Sequence, residues 1–291
     1  MAAERGFAIC TKLVRNKRTL GVQTTIYWFI NIIHYSFAAR RYIKKGGDRL
    51  AKAKFTYTFR RYEKKYYITA AQAEALLNKI GERMTPDEYG ETVICNLYYD
   101  TPDYLLIRRS LDKPLYKEKL RLRCYGVPKE DSVAFIEIKK KFAKVVYKRR
   151  LDTTYAKAIN YLKTGDIHLS GQIKNELDWF LKSYGKLAPS TAVFYTRKAF
   201  FDKTNPELRI TVDKDILWRK EDLDLTMGAY GERLIDEDYR LLEIKIPGVM
   251  PVWLAHILSE LNIFPNSFSK YGKAFLSFVK EISIFGGSKN V

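Results

Sequence analysis

From residue 55 onward, apolar and polar positions alternate with a period of two in eight runs, roughly 55–68, 91–100, 115–126, 132–142, 144–152, 191–202, 207–217 and 239–246. Such alternation predicts strands with one buried face. Turn signals separate the runs: Pro86-Asp87, Thr101-Pro102-Asp103, Gly126-Val127-Pro128, Gly185 with Pro189, Asn205-Pro206 and Pro247-Gly248. Helical patterns fill the gaps at 70–83, where Thr69 stands as N-cap, and at 155–164, 170–183, 251–262 and 269–278. Short connections favour antiparallel pairing. The predicted class is α+β, an eight-stranded antiparallel sheet flanked by helices.

The parity of the strands separates charge from oil. Lys117, Lys119, Arg121 and Arg123 share one face, and Leu120, Leu122 and Cys124 the other. Glu137, Lys139 and Lys141 oppose Ile136 and Ile138. Arg209, Thr211 and Asp213 oppose Ile210 and Val212, while Glu243 and Lys245 oppose Leu242, Ile244 and Ile246. Arg61, Glu63 and Lys65 share a face, as do Tyr195, Arg197 and Ala199. One such strand alone reads as a half-buried sheet with its charged face in water. Across all of them, arginine recurs where its rigid fork of donors suits phosphate, with single carboxylates interleaved. Eight antiparallel strands can close into a barrel that holds one small ligand. With the charged faces inward, the interior becomes a basic tunnel suited to a thin polyanion such as triphosphate or polyphosphate.

Composition sharpens this picture. The 291 residues carry 52 Lys+Arg against 33 Asp+Glu, a net charge of +19. Residues 1–54 hold 12 basic and 2 acidic side chains, and residues 55–291 hold 40 and 31. The apolar content suffices for a sizeable core and excludes global disorder. Cys10, Cys95 and Cys124 are isolated and the three histidines lack ligand spacing, which argues against a zinc site or a disulfide framework. P-loop and glycine-rich dinucleotide fingerprints are absent. So are the signatures of zinc fingers, helix-turn-helix proteins and RNP motifs, and no nucleic-acid partner is expected. Residues 1–54 form a separate basic, partly apolar extension with no charge between Arg18 and Arg40. Three readings of it stay open: a poorly ordered basic arm, a surface-lying anchor giving membrane contact through 19–45, and a spanning helix. The expected location is cytoplasmic, with membrane association under the latter two.

The strings RYEKKYYI (61–68), KLRLRCYG (119–126), FIEIKKK (135–141), YKRR (147–150), YTRKAF (195–200), LRITVDKDI (208–216), LLEIKIPG (241–248) and FSKYGKAF (268–275) together resemble the VTC domain. That is the polyphosphate polymerase domain of the vacuolar transporter chaperone family and its single-domain bacterial relatives, within the triphosphate tunnel (CYTH-like) superfamily. The resemblance spans about 55–280, leaving 281–291 as a tail. It implies an eight-stranded tunnel and an ATP-dependent polyphosphate polymerase using Mn²⁺ or Mg²⁺, with ATP and polyphosphate or pyrophosphate as partners. It also implies that Lys65, Arg121, Arg123, Lys139, Lys148, Arg197, Arg209, Lys270 and Lys273 bind phosphate. Of these, Arg121, Arg123, Arg197 and Arg209 would act with Glu243 in catalysis, and Glu243 would hold the metal. The superfamily's hydrolases open on Glu-x-Glu-x-Lys, whereas this chain has Arg61 at the first position. One acidic ligand is therefore missing; Glu63 and Glu137 are the candidate second ligands, or either could instead orient a neighbouring arginine. An inorganic or nucleoside triphosphatase and a non-catalytic polyphosphate-binding module are the alternative functions.

Overall fold

The computed structural model describes residues 62–143 and 145–286, with side chains as far as Ser283. All of them belong to one unit, Tyr57–Val291. The extension 1–54, the contact segment 19–45 and the expected start of the first strand at 55 lie outside the described residues. No described helix is long and apolar enough to cross a membrane.

The first strand, β1 (Tyr62–Thr69), runs directly into α1 (Ala70–Ile80). Thr69 starts that helix as expected: its hydroxyl accepts from Gln72 N (3.1 Å), and Gln72 Oε1 accepts from Thr69 N (3.0 Å). This reciprocal cap satisfies donors that the helix itself leaves unpaired. Next comes β2 (Met84–Asp100), longer than the predicted 91–100. Pro86, expected in a turn, lies within the strand beside a register shift between Pro86 and Glu91. At that point β2 is paired only to a later strand, β6, and its pairing with β3 begins at Ile94. A proline is tolerated where the ladder is one-sided or bulged.

A short helix, α2 (Leu105–Leu111), was not predicted. Its start is fixed by Asp100, whose carboxylate accepts from Leu106 N (2.8 Å) and Ile107 N (3.0 Å). There follow β3 (Tyr116–Tyr125), β4 (Val133–Phe142), β5 (Val145–Thr154), α3 (Tyr155–Thr164) and α4 (Gln172–Tyr184). The chain continues through β6 (Ala188–Asp202), β7 (Arg209–Arg219), a 3₁₀ turn (Leu225–Met227), the two-residue β8 (Glu232–Arg233) and β9 (Tyr239–Ile246). It ends in α5 (Val252–Glu260) and α6 (Lys270–Gly286), the last running past its predicted end at 278.

The sheet order is β1-β9-β7-β6-β2-β3-β4-β5, antiparallel throughout, with β8 on β7. The expected eight long strands are present in an α+β arrangement, and β8 is an addition. Among the described residues the backbone path does not close, because β1 and β5 are not paired. Side chains span the gap instead: Lys139 Nζ on β4 meets Glu63 Oε2 on β1 at 2.7 Å. Strands at opposite ends of the path can touch only if the sheet curls around that face.

The convex face carries two apolar layers. Leu97, Leu120, Leu122, Ile136 and Ile138 pack beneath α3 and α4 through Tyr161, Leu177 and Phe180. Tyr66, Ile68, Ile210, Leu242 and Ile244 pack beneath α1 and α5 through Leu76, Ile80 and Leu254. The enclosed face is more surprising, because one half of it is apolar too. Ile94, Val193, Tyr195, Ile216, Trp218 and Leu241 form a plug with Tyr271, Ala274 and Phe275 of α6. A bulge makes the changeover. Phe194 pairs with Leu217 and Thr196 with Lys214, so β7 has one residue more than β6 opposite Tyr195. Asp215 takes a left-handed conformation there (φ 49°). Before the bulge Arg209, Thr211 and Asp213 face inward, and after it Ile216 and Trp218 do.

Candidate functional site

The charged half of the enclosed face is built by strand parity and closed by the start of α6. Three arrangements of carboxylate and cation organise it.

The first centres on Glu137 of β4. Arg121 donates to its Oε2 from Nε (2.8 Å) and Nη2 (2.7 Å). Lys148 (2.6 Å) and Arg150 Nη2 (2.6 Å) reach Oε1 from β5. Burial pushes the Glu137 carboxyl up, but Arg121, Arg123 and Lys148 outweigh it and hold it well below the carboxylate range. The second centres on Asp213 of β7. Arg197 grips it with both Nε (2.6 Å) and Nη2 (2.8 Å), and Lys270 from α6 reaches Oδ2 at 2.5 Å. Burial again opposes ionisation, and Arg197 and Lys270 overcome it to bring Asp213 down to about 2.

The third arrangement is looser. Glu243 of β9 lies 3.7 Å from Lys65 and 3.1 Å from Lys245. Those contacts are long beside the 2.5–2.8 Å bonds on Glu137 and Asp213. Burial raises the Glu243 carboxyl, but Lys245, Lys65, Arg197 and Lys139 hold it well below the usual value. Glu63 on β1 lies close enough to feel its charge. Thr211, directly opposite Glu243 in the ladder, has a buried hydroxyl with no partner.

Lys119 and Lys65 also reach neutral acceptors near the start of α6. Lys119 donates to Ser269 Oγ (2.9 Å), the residue whose hydroxyl also accepts from Gly272 N at the start of α6. Burial lowers the Lys119 ammonium, and Lys65, Lys117, Lys139 and Arg121 lower it further, to about 7. Lys65 donates to Phe268 O (3.0 Å) and is held at about 8, again by burial first.

The structure therefore gathers Glu63, Lys65, Arg121, Glu137, Lys139, Lys148, Arg197, Glu243 and Lys270 around one interior. Arg123 lies deeper, donating to Asn96 Oδ1 and Tyr195 OH (both 2.9 Å). Lys273 stands over the rings of Tyr67 (5.6 Å) and Phe268 (5.5 Å), away from the carboxylates. Arg209 is exposed at the end of β7 next to Lys245, with one long bond to Pro206 O (3.5 Å). Four lining residues were not singled out as site residues: Lys119, Arg150, Asp213 and Lys245. Parity placed Lys119, Asp213 and Lys245 on charged faces, and Arg150 shares a face with Lys148, so the signal was present.

The fit of a divalent ion follows from these donors. Among the described residues, no three acidic, histidine or cysteine side chains converge. Magnesium-like ions, however, are commonly held by one or two carboxylates, with substrate phosphates completing the shell. Glu243 and Glu63, with the unpartnered Thr211 hydroxyl alongside, suit that role. Glu137, saturated by three cations, does not.

The molecule thus has a curled antiparallel sheet, helices on its convex side and an enclosed chamber rich in arginine and lysine. The chain belongs to the VTC domain family, whose model matches residues 60–279. Among solved structures it is similar to a putative adenylate cyclase from Bacillus halodurans at 13% identity, covering 72% of this chain and 95% of that one, with a TM-score of 0.48. It is also similar to a putative adenylyl cyclase from Hippeastrum, described as having a dominant triphosphatase activity. That match has 13% identity, covers 72% and 93% of the two chains, and has a TM-score of 0.46. No curated protein matches the chain.

Proposed function

We propose that this chain is a phosphotransferase that moves the γ-phosphoryl group of ATP onto an inorganic polyphosphate chain held in the enclosed chamber. One observation carries the reading: the chamber concentrates more cations than its carboxylates can balance. Lys65, Lys119, Arg121, Lys139, Lys148, Arg197 and Lys270 surround Glu63, Glu137, Asp213 and Glu243. Three of the lysines, Lys65, Lys119 and Lys148, are displaced towards neutrality by burial and by neighbouring cations. An interior so arranged is relieved by a polyanion. VTC family membership supports the same conclusion.

Phosphoryl transfer asks a protein mainly for alignment and for neutralisation of charge on phosphate oxygens. Arg197 spends Nε and Nη2 on Asp213, which fixes the plane of its guanidinium and leaves Nη1 for the donor phosphates. Glu137 orients Arg121 in the same way. Lys65, Lys119, Lys139 and Lys148 would hold the acceptor chain against repulsion by the nucleotide. Glu243 with Glu63 would hold Mn²⁺ or Mg²⁺, which when bound supplies further neutralisation of phosphate charge. An ionised phosphate is already a nucleophile, so no general base is required. The γ-phosphorus forms a bond to the terminal oxygen of the chain as its bond to the β-phosphate oxygen breaks, giving ADP and a chain one unit longer.

The test is to incubate the purified protein with ATP and Mn²⁺ and to quantify ADP, free phosphate and long chains. Chains support the proposal. Phosphate without chains identifies a triphosphatase instead, and polyphosphate binding with neither product identifies a binding module.

A further inference from the structure

Tyr195 stands on β6 where the charged chamber meets the apolar plug, opposite the β7 bulge. It is only 3% exposed. Its hydroxyl oxygen accepts from Arg123 Nη2 at 2.9 Å. Two further cations lie over its ring, Lys270 Nζ at 4.2 Å and the Arg197 guanidinium at 5.1 Å from the centroid.

The surroundings are lopsided. From β3 the phenol meets Arg123 and the field of Arg121, from β6 Arg197, and from α6 Lys270. Tyr98 of β2 and Tyr271 of α6 belong to the same packed cluster. Asp213 of β7 is the carboxylate within reach, and Arg197 and Lys270 already occupy it. Among the described residues, no acceptor takes the phenol's own proton. Burial alone would push the hydroxyl up, yet the three cations outweigh it and bring it down to about 7. An oxygen that receives a guanidinium bond, has cations over its ring and lacks an acceptor for its proton is placed to be an anion.

The geometry points to Tyr195 as an internal stand-in for phosphate. In the ligand-free chamber its phenolate balances Arg123, Arg197 and Lys270. When a phosphate of a polyanionic ligand takes over those cations, the oxygen gains one proton from solvent and donates a hydrogen bond to that phosphate. The balance is one phenolate plus one proton giving one phenol, with no change of oxidation state. The inference rests on the polyanion reading of the chamber and deepens it, because it assigns a ligand contact and a proton to a residue outside the arginine, lysine and glutamate set.

The experiment follows the near-ultraviolet tyrosinate band of the full chain, with inorganic tripolyphosphate as the probe and calorimetry to establish that the probe binds. In the free protein one tyrosine should ionise near pH 7, and Tyr195→Phe should remove that step. At pH 8, saturating tripolyphosphate should abolish the band, with uptake of one more proton per protein than in Tyr195→Phe. The wild-type spectra decide the matter even if the variant folds poorly. If no tyrosine ionises near neutrality, or if the band survives probe saturation, the stand-in role is overturned while the chamber reading stands. If calorimetry detects no binding, the chamber reading falls, and this role falls with it.

Discussion

The two halves of the enclosed face share strands, curvature and side-chain period, and they differ in what fills them. The plug half places Trp218, Phe275 and Tyr271 in one buried apolar cluster, so its interior is covered by dispersion and burial. The chamber half places lysine beside lysine and lets burial push Lys119 and Lys65 towards neutrality. One half stabilises the free protein. The other stores unfavourable electrostatics that a ligand would release. The protein concentrates its functional cost in the region it does not use as a core.

The contrast can be broken first at Arg121. Arg121→Ala should lower phosphoryl transfer by about 10²–10³-fold, read as kcat with ATP and polyphosphate. Intact activity would remove the chamber from the reaction. The complementary change, Trp218→Ala in the plug, should cost about 3–5 kcal/mol of stability, measured from urea unfolding. It should leave tripolyphosphate affinity within a few-fold of wild type if the halves are energetically separate.

A third effect concerns pH. Lys119 and Lys65 ionise near about 7 and about 8 in the folded chain and near 10.5 when unfolded. Between those folded values and 10.5 the unfolded chain holds more protons, so the free protein gains stability as pH rises from 7–8 towards 10.5 and carries the full penalty below. Ligand binding runs the other way, since a polyanion wants both lysines charged. Tripolyphosphate affinity should fall about tenfold or more between pH 6.5 and 9, and an affinity that rises would contradict the assignment. The smallest effect belongs to Arg209→Ala. This exposed arginine at the end of its strand should change affinity by about threefold or less, in line with a screened surface charge.

Much of this was legible along the chain, and the reasons are local. Period-two alternation in 119–126 and 135–141 fixed which side chains turn inward, because neither strand is bulged. Thr69 announced α1 through its own side chain. The helix at Leu105–Leu111 was hidden because its capping carboxylate, Asp100, lies five residues upstream at the end of a strand. Parity also read Arg197 as a charged-face residue without revealing Asp213 as its partner, because β6 and β7 find their register only in the folded sheet. The plug was missed for a related reason. Counted in strict steps of two, Ile216 and Trp218 continue the outward series of Ile210 and Val212, and only the extra residue at Asp215 turns them inward.

That extra residue has a consequence for how this protein can change. The boundary between chamber and plug is a slip in phase along β7 rather than a change in chemistry. Deleting Asp215 would place Ile216 directly after Lys214, so Ile216 and Trp218 would keep the enclosed face, opposite Tyr195 and Val193. Pairing all of β7 without the bulge and with Asp215 retained would instead turn Trp218 to the convex side and Arg219 into the enclosed space. The bulge, and not the side chain that occupies it, decides which part of the strand is chamber and which is plug.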